Sequence, residues 1–592
     1  MRSHILTCLL PLATAGCVKR DTDDVVDYIV VGGGTSGLVV AKRLSEDPNV
    51  SVLVIEAGDS VYNNENVTDV NGYGLAFGTE IDYAYESVNQ TYANGKAQTL
   101  RAGKALGGTS TINGMAYTRT ESAQVDAWEL VGNEGWNWNS LFPYYVKSEH
   151  FQVPSVAREA AGHLSYEEDF HGYDGPLMTG WAYSETNTSL VTDVTSTYGA
   201  MGLPLNPDIN GGSMVGFGVF PSHVNQVLNV REDAARAYYY PYQNATNLKV
   251  LLNTRANKLV WSAANSSSGA MAEGVSVTSL SGEAKTIKAA KEVILSGGAL
   301  SSPKLLELSG IGNPSILRQH GIDVVVDLPT VGENMQDQSN NGIDFGLADN
   351  YTLADKTAFV AYPSVSHLFG NQTAGLAKQV KTNLSSYAAR VASANGNVTQ
   401  ATDLLEFFEL QYDLIFKSQV PFAEVLINFG GTEWASEFWS LLPFSRGNIH
   451  IRSSDPTVAA AIDPKYFMLE FDGRAQAEVA RYIRKLYATE PFAGYNSGEI
   501  SPGYDIVAAE ANDDAWAAWI KDTYRSNFHA VGTAAMMPRE KGGVVDTELR
   551  VYGTSNVRVV DASVIPFQVC GHSVSTLYAV AERASDFIRG KL

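Results

Sequence analysis

The stretch Val25-Val26-Asp27-Tyr28-Ile29-Val30-Val31-Gly32-Gly33-Gly34-Thr35-Ser36-Gly37 decides the fold of the N-terminal part of the chain. Its first seven residues are almost all apolar, as expected for a strand that is buried on both faces of a parallel sheet. A helical pattern follows through Leu44, and Val50–Ile55 is a second apolar run. The sequence therefore predicts a βαβ unit with a glycine-rich turn after its first strand.

A dinucleotide site is indicated by the residues of this unit. Gly32 permits a tight turn, Gly34 lets the backbone approach a pyrophosphate, and Gly37 lets the helix pack closely on the strand. The helix N-terminus presents free N–H groups and a positive dipole end to phosphates. Glu56 ends the second strand, 22 residues after Gly34, where a carboxylate accepts hydrogen bonds from ribose hydroxyls. A glycine turn that merely packs tightly is the alternative, and the strand, the helix and Glu56 together disfavour it.

Composition limits the class of protein. The 592 residues allow up to about four domains, or two large ones. Hydrophobic residues make up 45% and charged residues 18%, which favours a large core over disorder. The net charge of −22 repels nucleic acid and anionic lipid, so neither is an expected partner. Beyond the first twenty residues no apolar run reaches the length of a transmembrane helix, and none is predicted.

Residues 1–20 are predicted to be a signal peptide and propeptide. Arg2 and His4 form a basic start, Ile5–Leu12 is apolar, and the dibasic pair Lys19-Arg20 resembles a processing site that would start the mature chain at Asp21. We therefore expect a secreted, extracellular protein. The mature chain keeps Cys570 as its only cysteine, so it cannot form an internal disulfide.

Glycosylation sequons suit the same compartment. They occur at Asn49, Asn66, Asn89, Asn187, Asn244, Asn265, Asn350, Asn371, Asn383 and Asn397. We expect a glycoprotein, without a prediction of which of these positions carry glycans.

Two further stretches carry a resemblance to a known family. Gly103–Asn113 resembles the first signature of the glucose–methanol–choline (GMC) flavin oxidoreductases, and Gly298–Gly312 resembles the second at every constrained position. One departure is Thr120, where the first signature usually has Pro, Ala or Gly. The resemblance implies FAD as the cofactor. The implied cofactor-binding residues are Gly32, Gly34, Thr35, Ser36, Gly37, Glu56, Gly107, Gly108, Thr109, Asn113, Gly114, Met115, Ala116, Ala256, Asp561, Ala562 and Val574.

The resemblance also implies the fold class, which is α/β (α+β overall). An FAD-binding, Rossmann-like domain is interleaved with a substrate-binding domain built on an antiparallel sheet. Apolar runs at Lys291–Leu295 and Val557–Val560 indicate that distant segments return to the first sheet. The predicted FAD-binding domain comprises 21–60, 95–120, 225–335 and 548–592, and the substrate-binding domain comprises 61–94, 121–224 and 336–547.

The segment Arg525-Ser526-Asn527-Phe528-His529 is the main candidate for catalysis. If it is extended, Arg525, Asn527 and His529 point to the same side, and a cation, an amide and an imidazole suit a hydroxyl-rich substrate with an ionising proton. The alternative is a polar surface strand, but the following Ala530–Met537 is too apolar for the surface.

The resemblance assigns roles to these residues and is closest to fungal FAD-dependent glucose dehydrogenases and glucose oxidases. It implies hydride transfer from C1 of glucose to flavin N5, giving gluconolactone. His529 would be the general base, His572 would share the hydrogen bond, and Glu424 would orient His572. Arg525 and Asn527 would bind sugar hydroxyls. Tyr73 and Trp439 would offer aromatic faces to the pyranose, although core packing alone also explains those two residues.

Three activities stay open. The first is a glucose dehydrogenase that reduces a quinone or another small acceptor, the second is a glucose or other alcohol oxidase that makes hydrogen peroxide, and the third is a lyase with structural FAD. The intact set of candidate catalytic and sugar-binding residues argues against the lyase. Asn113–Tyr117 and Val569–His572 look more like the dehydrogenase branch. Ala530 and Ser573 depart from the residues usual beside the two histidines. No metal site is predicted, since the histidines lack metal-ligand spacing, and the oligomeric state is left open.

Overall fold

The computed structural model describes residues 25–162, 164–182, 188–263, 269–349, 351, 359–430 and 432–592. The predicted leader at residues 1–20 and the sequons at Asn187, Asn265 and Asn350 lie outside the described residues.

Two large sheets and a set of helices make up the chain. The strands of the two sheets are β1 (Val25–Val31), β2 (Val52–Ile55), β3 (Gly216–Val219), β4 (Leu248–Leu251), β5 (Thr254–Trp261), β6 (Ala272–Ser279), β7 (Ala284–Leu295), β8 (Ser339–Leu347), β9 (Phe359–Tyr362), β10 (Ala423–Gly430), β11 (Glu433–Ser440), β12 (Asn496–Ser501), β13 (Arg525–Ser526) and β14 (Val557–Val559). The helices of seven or more residues are α1 (Thr35–Leu44), α2 (Ser122–Leu130), α3 (Trp138–Ser148), α4 (Val156–Gly162), α5 (Thr188–Ala200), α6 (Ser302–Leu308), α7 (Thr373–Ala394), α8 (Ala401–Phe416), α9 (Glu470–Tyr487), α10 (Asp513–Thr523) and α11 (Val574–Ile588).

The first sheet has the order β4-β2-β1-β7-β6-β5, and β14 pairs with the end of β7. Strands β4, β2, β1, β7 and β14 are parallel, whereas β5 and β6 pair antiparallel. Val30 lies in register with Val54 on one side and Ile294 on the other, and all three are fully or almost fully buried. Burial on both faces explains why these strands are continuous apolar runs.

The second sheet is antiparallel throughout, with the order β12-β8-β11-β10-β9-β3, and β13 pairs with the start of β8. On β11, Trp434, Ser436 and Phe438 are fully buried, whereas the alternate positions Ala435 and Glu437 are partly exposed. That alternation is the period of a strand with one covered face. Helix α9 packs against β11.

These two sheets confirm the predicted fold class, an α/β domain interleaved with a domain on an antiparallel sheet. All strands of the first sheet fall within the segments predicted for FAD binding, and all strands of the second fall within the substrate-binding segments. The domain boundaries themselves stay a prediction. The second strand begins at Val52 rather than at Val50, because the Val50 N–H donates to the Asp47 carbonyl and closes a turn.

Residues 61–112 form a small core of their own beside the main one. Val61, Val67, Ala76, Ile81, Ala105 and Ile112 make up this cluster, with Phe77 packed against it. This small core supports the part of the segment that contains Tyr73, whereas Ala93 and Leu106 of the same segment pack into the main core. Among the described helices, none combines the length and apolarity needed to cross a membrane.

Candidate active site

Two glycine turns meet at the N-terminus of α1. The Gly107 N–H donates to the Gly33 carbonyl over 2.8 Å, and a Cβ on Gly108 would lie 2.6 Å from the Gly34 Cα. Gly108 also has φ of +55°, which favours glycine. The predicted cofactor residues Gly32–Gly37 and Gly107–Thr109 are thus in direct contact, although about 70 residues separate them.

The three glycines of the first turn differ in the reason why a side chain is excluded. A Cβ on Gly32 would lie 2.3 Å from the Ser296 carbonyl oxygen, and one on Gly37 would lie 2.0 Å from the Gly32 carbonyl oxygen, so the chain's own packing requires both. A Cβ on Gly34 would meet only the Gly108 Cα at 3.6 Å, which is an ordinary contact. Nothing in the protein itself demands glycine at position 34. A pyrophosphate held at the N-terminus of α1 by Gly34, Thr35 and Ser36 would account for a glycine there, and the turn therefore fits FAD.

Glu56 lies where the adenosine ribose of a dinucleotide would bind. Its two carboxylate oxygens accept from the N–H groups of Gly33 and Gly58, each over 2.8 Å, and burial raises the pKa of the carboxyl to about 7. The Glu56 carbonyl accepts the Thr254 N–H, two residues before the predicted contact Ala256. The carboxylate is thus fixed in place before any ribose hydroxyl reaches it.

The turn at Asn113–Ala116 is held by a buried arginine that the sequence analysis did not single out. The Asn113 Oδ1 accepts from Arg231 over 2.6 Å and from the Met115 N–H over 3.2 Å. Met115 adopts φ of +62°, and a Cβ on Gly114 would lie 3.8 Å from the Tyr73 ring. This turn therefore lies beneath Tyr73, at the place where the prediction puts the flavin.

The remaining predicted cofactor residues link the first sheet to the catalytic segments. Asp561 Oδ2 accepts the Gly298 N–H over 2.8 Å, and burial raises the pKa of this carboxyl. The Ala562 carbonyl accepts the Gly532 N–H, three residues after His529. Val574 is the first residue of α11, directly after the segment that carries His572. Both histidines are thus anchored to the edge of the FAD-binding sheet.

His529 and His572 form a close pair. Their ring centroids lie 5.3 Å apart with the rings almost perpendicular, and the Trp439 indole stands edge-on to both rings. His572 Nε2 lies 2.8 Å from Oε1 of Glu424, which is completely buried on β10. Glu424 therefore holds His572 in this structure, and its role in orienting a catalytic histidine stays a prediction. No cluster of three or more His, Cys, Asp or Glu within the described ranges is placed to hold a metal.

The surroundings of His529 keep it neutral. Its Nδ1 lies 2.8 Å from Gln338 Oε1 and 3.0 Å from Asn527 Nδ2, and its backbone N–H donates to Asp337 Oδ1. Burial lowers the pKa of His529 to about 3, and the neighbouring His572 and Arg525 act in the same direction. A neutral imidazole is the form that can accept a proton.

The segment from Arg525 to His529 is not extended along its whole length, so the prediction of one strand face is wrong. Strand β13 ends at Ser526, and Phe528 has φ of +63°, in the left-handed region. The Phe528 N–H donates to Ser526 Oγ over 2.9 Å, which compensates part of the strain of this tight bend. A left-handed residue breaks the alternation of side chains on which the prediction rested.

The side chains of Arg525, Asn527 and His529 still converge, through partners on other strands. Arg525 donates to Glu437 Oε2 over 2.8 Å, and the same oxygen lies 3.4 Å from Asn340 Nδ2. Asn340 Nδ2 in turn donates to Asn527 Oδ1 over 2.8 Å. Asn527 then reaches His529, so one polar network joins the guanidinium to the imidazole.

The two predicted sugar-binding aromatics lie in different surroundings. Tyr73 is 46% exposed and packs edge-on against Phe77, which packs against Phe528. Trp439 is 1% exposed, and its ring contacts the two histidines. The Tyr73 ring is thus accessible to solvent, whereas the Trp439 ring is buried against the two histidines. Contact of either residue with a sugar stays a prediction.

Gln338, Asn340, Glu437 and Asp337 belong to this site and were not predicted. The sequence signal for Gln338, Asn340 and Asp337 is the polar run Gln336–Asn341. In the structure this run leads into β8 and is buried almost completely. Buried polar residues in a row need partners, and a functional site supplies them. Glu437 has no comparable signal, since a lone Glu on a strand is ordinarily at the surface.

The low pKa of His529 predicts an unusual pH dependence. A base with the ordinary histidine pKa of about 6.5 would be roughly 30-fold less available at pH 5 than at full deprotonation. Because His529 stays neutral down to about pH 3, the rate of flavin reduction by substrate should be nearly constant between pH 7 and pH 5. Anaerobic stopped-flow reduction across this range measures the effect. A 30-fold fall at pH 5 would contradict the neutral environment of His529.

Comparison with known proteins agrees with this geometry. A family model described as GMC oxidoreductase matches residues 26–340, and a second model with the same description matches residues 443–581. The chain is 43% identical to a glucose oxidase-like protein from Humicola fuscoatra, over 99% of both chains. It is 37% identical to a glucose oxidase from Aspergillus carbonarius, over 95% of this chain and 92% of the relative.

Solved structures show the same fold. An FAD-dependent oxidoreductase from Chaetomium thermophilum superposes with a TM-score of 0.86 at 28% identity, over 96% of this chain and 99% of that one. A fungal aryl-alcohol oxidase gives a TM-score of 0.85 at 25% identity, over 96% of this chain and the whole of that one. With both family models, the glycine turns and the histidine pair in agreement, the chain belongs to the GMC oxidoreductase family and uses FAD.

Proposed function

We propose that the chain oxidises glucose or a similar sugar at C1, giving the lactone. The observation that carries the proposal is the pair of His529 and His572, which a polar network connects to Arg525 and Glu437. Arg525, Glu437, Asn340 and Asn527 are called the rim here. Several relatives are glucose oxidases by name, which supports a sugar as the substrate class.

The rim offers a sugar both donors and acceptors. The Arg525 guanidinium and the Glu437 carboxylate are each about one-third exposed, so hydroxyl groups can reach them. Each sugar hydroxyl can both donate and accept a hydrogen bond. The arginine can donate to it and the carboxylate can accept from it. Tyr73 adds an apolar ring face nearby. This combination suits a polyol ring better than an apolar alcohol.

The histidines handle the proton of the C1 hydroxyl. His529 accepts it as the neutral base, and His572, whose Nε2 is bound to Glu424, presents its other ring nitrogen to the same oxygen. Bound FAD supplies the acceptor for the hydride that leaves C1. Removal of the proton by His529 lets the C1 carbonyl form as the hydride departs. Trp439, packed against both rings, limits their rotation.

Two electron acceptors are candidates for the second half of the reaction. The sequence analysis favours a quinone or another small acceptor, as in a dehydrogenase. The names of the relatives favour oxygen, as in an oxidase that makes hydrogen peroxide. The rim and the histidine pair are compatible with either acceptor, because they act on the sugar before the cofactor is reoxidised.

One experiment tests the substrate and separates the acceptors. Glucose is added to the yellow protein without oxygen, and the flavin absorbance is followed; then air or benzoquinone is admitted. Bleaching by glucose supports sugar oxidation. Rapid recolouring in air with peroxide release identifies an oxidase, and recolouring only with the quinone identifies a dehydrogenase. A flavin that stays yellow with glucose and with xylose, galactose and simple alcohols would refute the proposal and leave the lyase.

Arg525→Lys tests the rim. Lysine keeps the charge but not the planar fork that binds Glu437 and leaves donors for hydroxyls. We expect kcat/KM for glucose to fall roughly tenfold or more, which is about 1.4 kcal/mol, with the flavin content unchanged. The control is Arg318→Lys at an exposed position on another surface. An unchanged kcat/KM in Arg525→Lys would place Arg525 outside the sugar site.

Export of the protein is a separate part of the proposal. It is supported by the leader-like residues 1–20 and by sequons at exposed positions such as Asn89 and Asn244. N-terminal sequencing of protein from the medium of an expressing fungal host should begin at Asp21. Retention of residues 1–20 on intracellular protein would refute this part.

A further inference from the structure

One edge of the His529 ring is held by two amide side chains. Its Nδ1 lies 2.8 Å from Gln338 Oε1 and 3.0 Å from Asn527 Nδ2, and Gln338 is completely buried. A neutral imidazole carries one proton, on Nδ1 or on Nε2, and only the nitrogen without a proton can act as a base. The two amides therefore bear directly on which nitrogen is the base.

The orientation of each amide is set by its other partners. Gln338 Nε2 lies 3.2 Å from the Leu441 carbonyl, to which only an N–H can donate, so Gln338 turns its oxygen towards His529. Asn340 Nδ2 contacts the Glu437 carboxylate, so it is a donor, and Asn527 must offer its Oδ1 to it. Asn527 then turns its NH₂ towards His529 and towards Gln338 Oε1, which lies 3.4 Å away.

These orientations favour one tautomer. The shorter contact, 2.8 Å between Nδ1 and an amide oxygen, requires a proton on Nδ1, because otherwise two lone pairs would face each other. Gln338 Oε1 has two lone pairs and can accept the Asn527 N–H as well. We propose that Gln338 is a positioning residue, which holds His529 with its proton on Nδ1 and leaves the Nε2 lone pair free for the proton of the substrate.

This inference rests on the proposed role of His529 as the base. The Nδ1–H bond to Gln338 is kept when Nε2 takes up a proton, so the ring does not have to turn during the reaction. The charged and titratable groups around the ring are His572, Arg525, the Asp337 carboxylate on the backbone N–H, and Glu437 through Asn340. None of them accepts a hydrogen bond from Nδ1, which leaves that function to Gln338.

The tautomer can be measured without any sugar. In oxidised, FAD-loaded protein with ¹⁵N-labelled histidine, the two-bond ¹H–¹⁵N spectrum distinguishes a proton on Nδ1 from one on Nε2, and His529→Gln assigns the signal. We expect the Nδ1–H form in the wild type at pH 7. Gln338→Leu should shift the signal towards the Nε2–H form, since it removes the acceptor for Nδ1–H and leaves Asn527 Nδ2, a donor, facing Nδ1. Gln411→Leu removes another buried amide, bound to the Leu442 and Pro443 carbonyls, and should leave the tautomer unchanged.

Kinetics give a second, independent result. Gln338→Leu should slow flavin reduction by at least about tenfold with little change in KM, as part of the contribution of a positioned base is lost. Gln338→Glu keeps the shape of the side chain and places a carboxylate next to Nδ1–H, so His529 should again carry its proton on Nδ1. The carboxylate should also raise the pKa of His529. The acid limb of the pH–rate profile, where protonation of the base slows flavin reduction, should therefore move upward by at least about one pH unit. Gln411→Leu should alter neither the rate nor the limb.

The outcomes separate this inference from the proposed function. An Nε2–H signal in the wild type, or Gln338→Leu with an unchanged tautomer, would overturn the inference whether or not glucose reduces the flavin. The expected tautomer in a protein that no sugar reduces would refute the proposed function and leave the hydrogen-bond assignment standing. An acid limb that does not move in folded, yellow Gln338→Glu would also overturn the inference.

Discussion

His529→Ala is expected to slow reduction of the flavin by glucose by at least about 10²-fold. A positioned general base contributes typically 10²- to 10⁴-fold, or about 3 to 5 kcal/mol of barrier. The variant keeps the backbone N–H that donates to Asp337, so the bend at Phe528 and the fold should persist. The loss should fall on reduction rather than on reoxidation, because a quinone does not need the sugar's base. Anaerobic stopped-flow measurement of flavin bleaching gives the rate directly.

Controls show whether the effect belongs to this histidine. His320→Ala, at the end of a short helix away from the site, should reduce the flavin at the wild-type rate. His572→Ala should also be slow, and the double variant should cost less than the product of the two single losses, since both rings act on one proton. Near-wild-type reduction of His529→Ala would remove His529 from the mechanism and transfer the base to His572, held by Glu424.

Gly34→Ala is expected to yield folded protein without FAD, and therefore without activity. The new Cβ would lie 3.6 Å from the Gly108 Cα, an ordinary contact, so the chain itself tolerates it. It would nevertheless point into the space above the N-terminus of α1, where the pyrophosphate approaches the backbone. The larger Gly34→Val should show the same loss. The ratio of flavin absorbance to protein absorbance measures the cofactor, and circular dichroism measures the fold.

Substitutions of two other glycines serve as controls for Gly34→Ala. Gly375→Ala, on the helix α7 with no atom near its new Cβ, should keep full flavin content and gain up to about 1 kcal/mol of stability. Gly37→Ala would place its Cβ 2.0 Å from the Gly32 carbonyl oxygen, so it should lower the yield of folded protein rather than flavin content alone. A fully flavin-loaded Gly34→Ala would contradict the placement of the pyrophosphate at this turn.

The FAD-binding half could be predicted because its signals are local. The apolar run of β1, the glycine spacing and Glu56 lie within about 32 residues, and their meaning depends on the chain's own turn geometry. Only the exact start of β2 was misplaced, since a turn that closes through the Asp47 carbonyl has no strong signal in the residue types.

The candidate site was only partly visible in the sequence. The roles of His529, His572 and Glu424 came from the family resemblance, and the structure brings these three residues together. Arg525, Asn527 and His529 were expected on one face if their segment was extended. The segment bends instead, and Glu437 and Asn340 on neighbouring strands connect Arg525 to Asn527. Residue type alone did not show that Phe528 adopts a left-handed conformation, because only its surroundings hold a bulky residue there.

The sequence by itself thus determined the βαβ unit and its glycine turn, because short-range periodicity and glycine spacing specify them. The family and its cofactor FAD were indicated by the resemblance of two longer stretches to known signatures. Only the tertiary structure decided which polar side chains surround the base. Gln338, directly before β8, contacts His529, whereas Asn340 on β8 contacts Asn527 and Glu437 on β11 contacts Arg525. These partners lie about 90 to 190 residues away from the catalytic segment along the chain. The antiparallel register of β8, β11 and β13 brings them together, and register follows from the packing of whole sheets rather than from any local pattern.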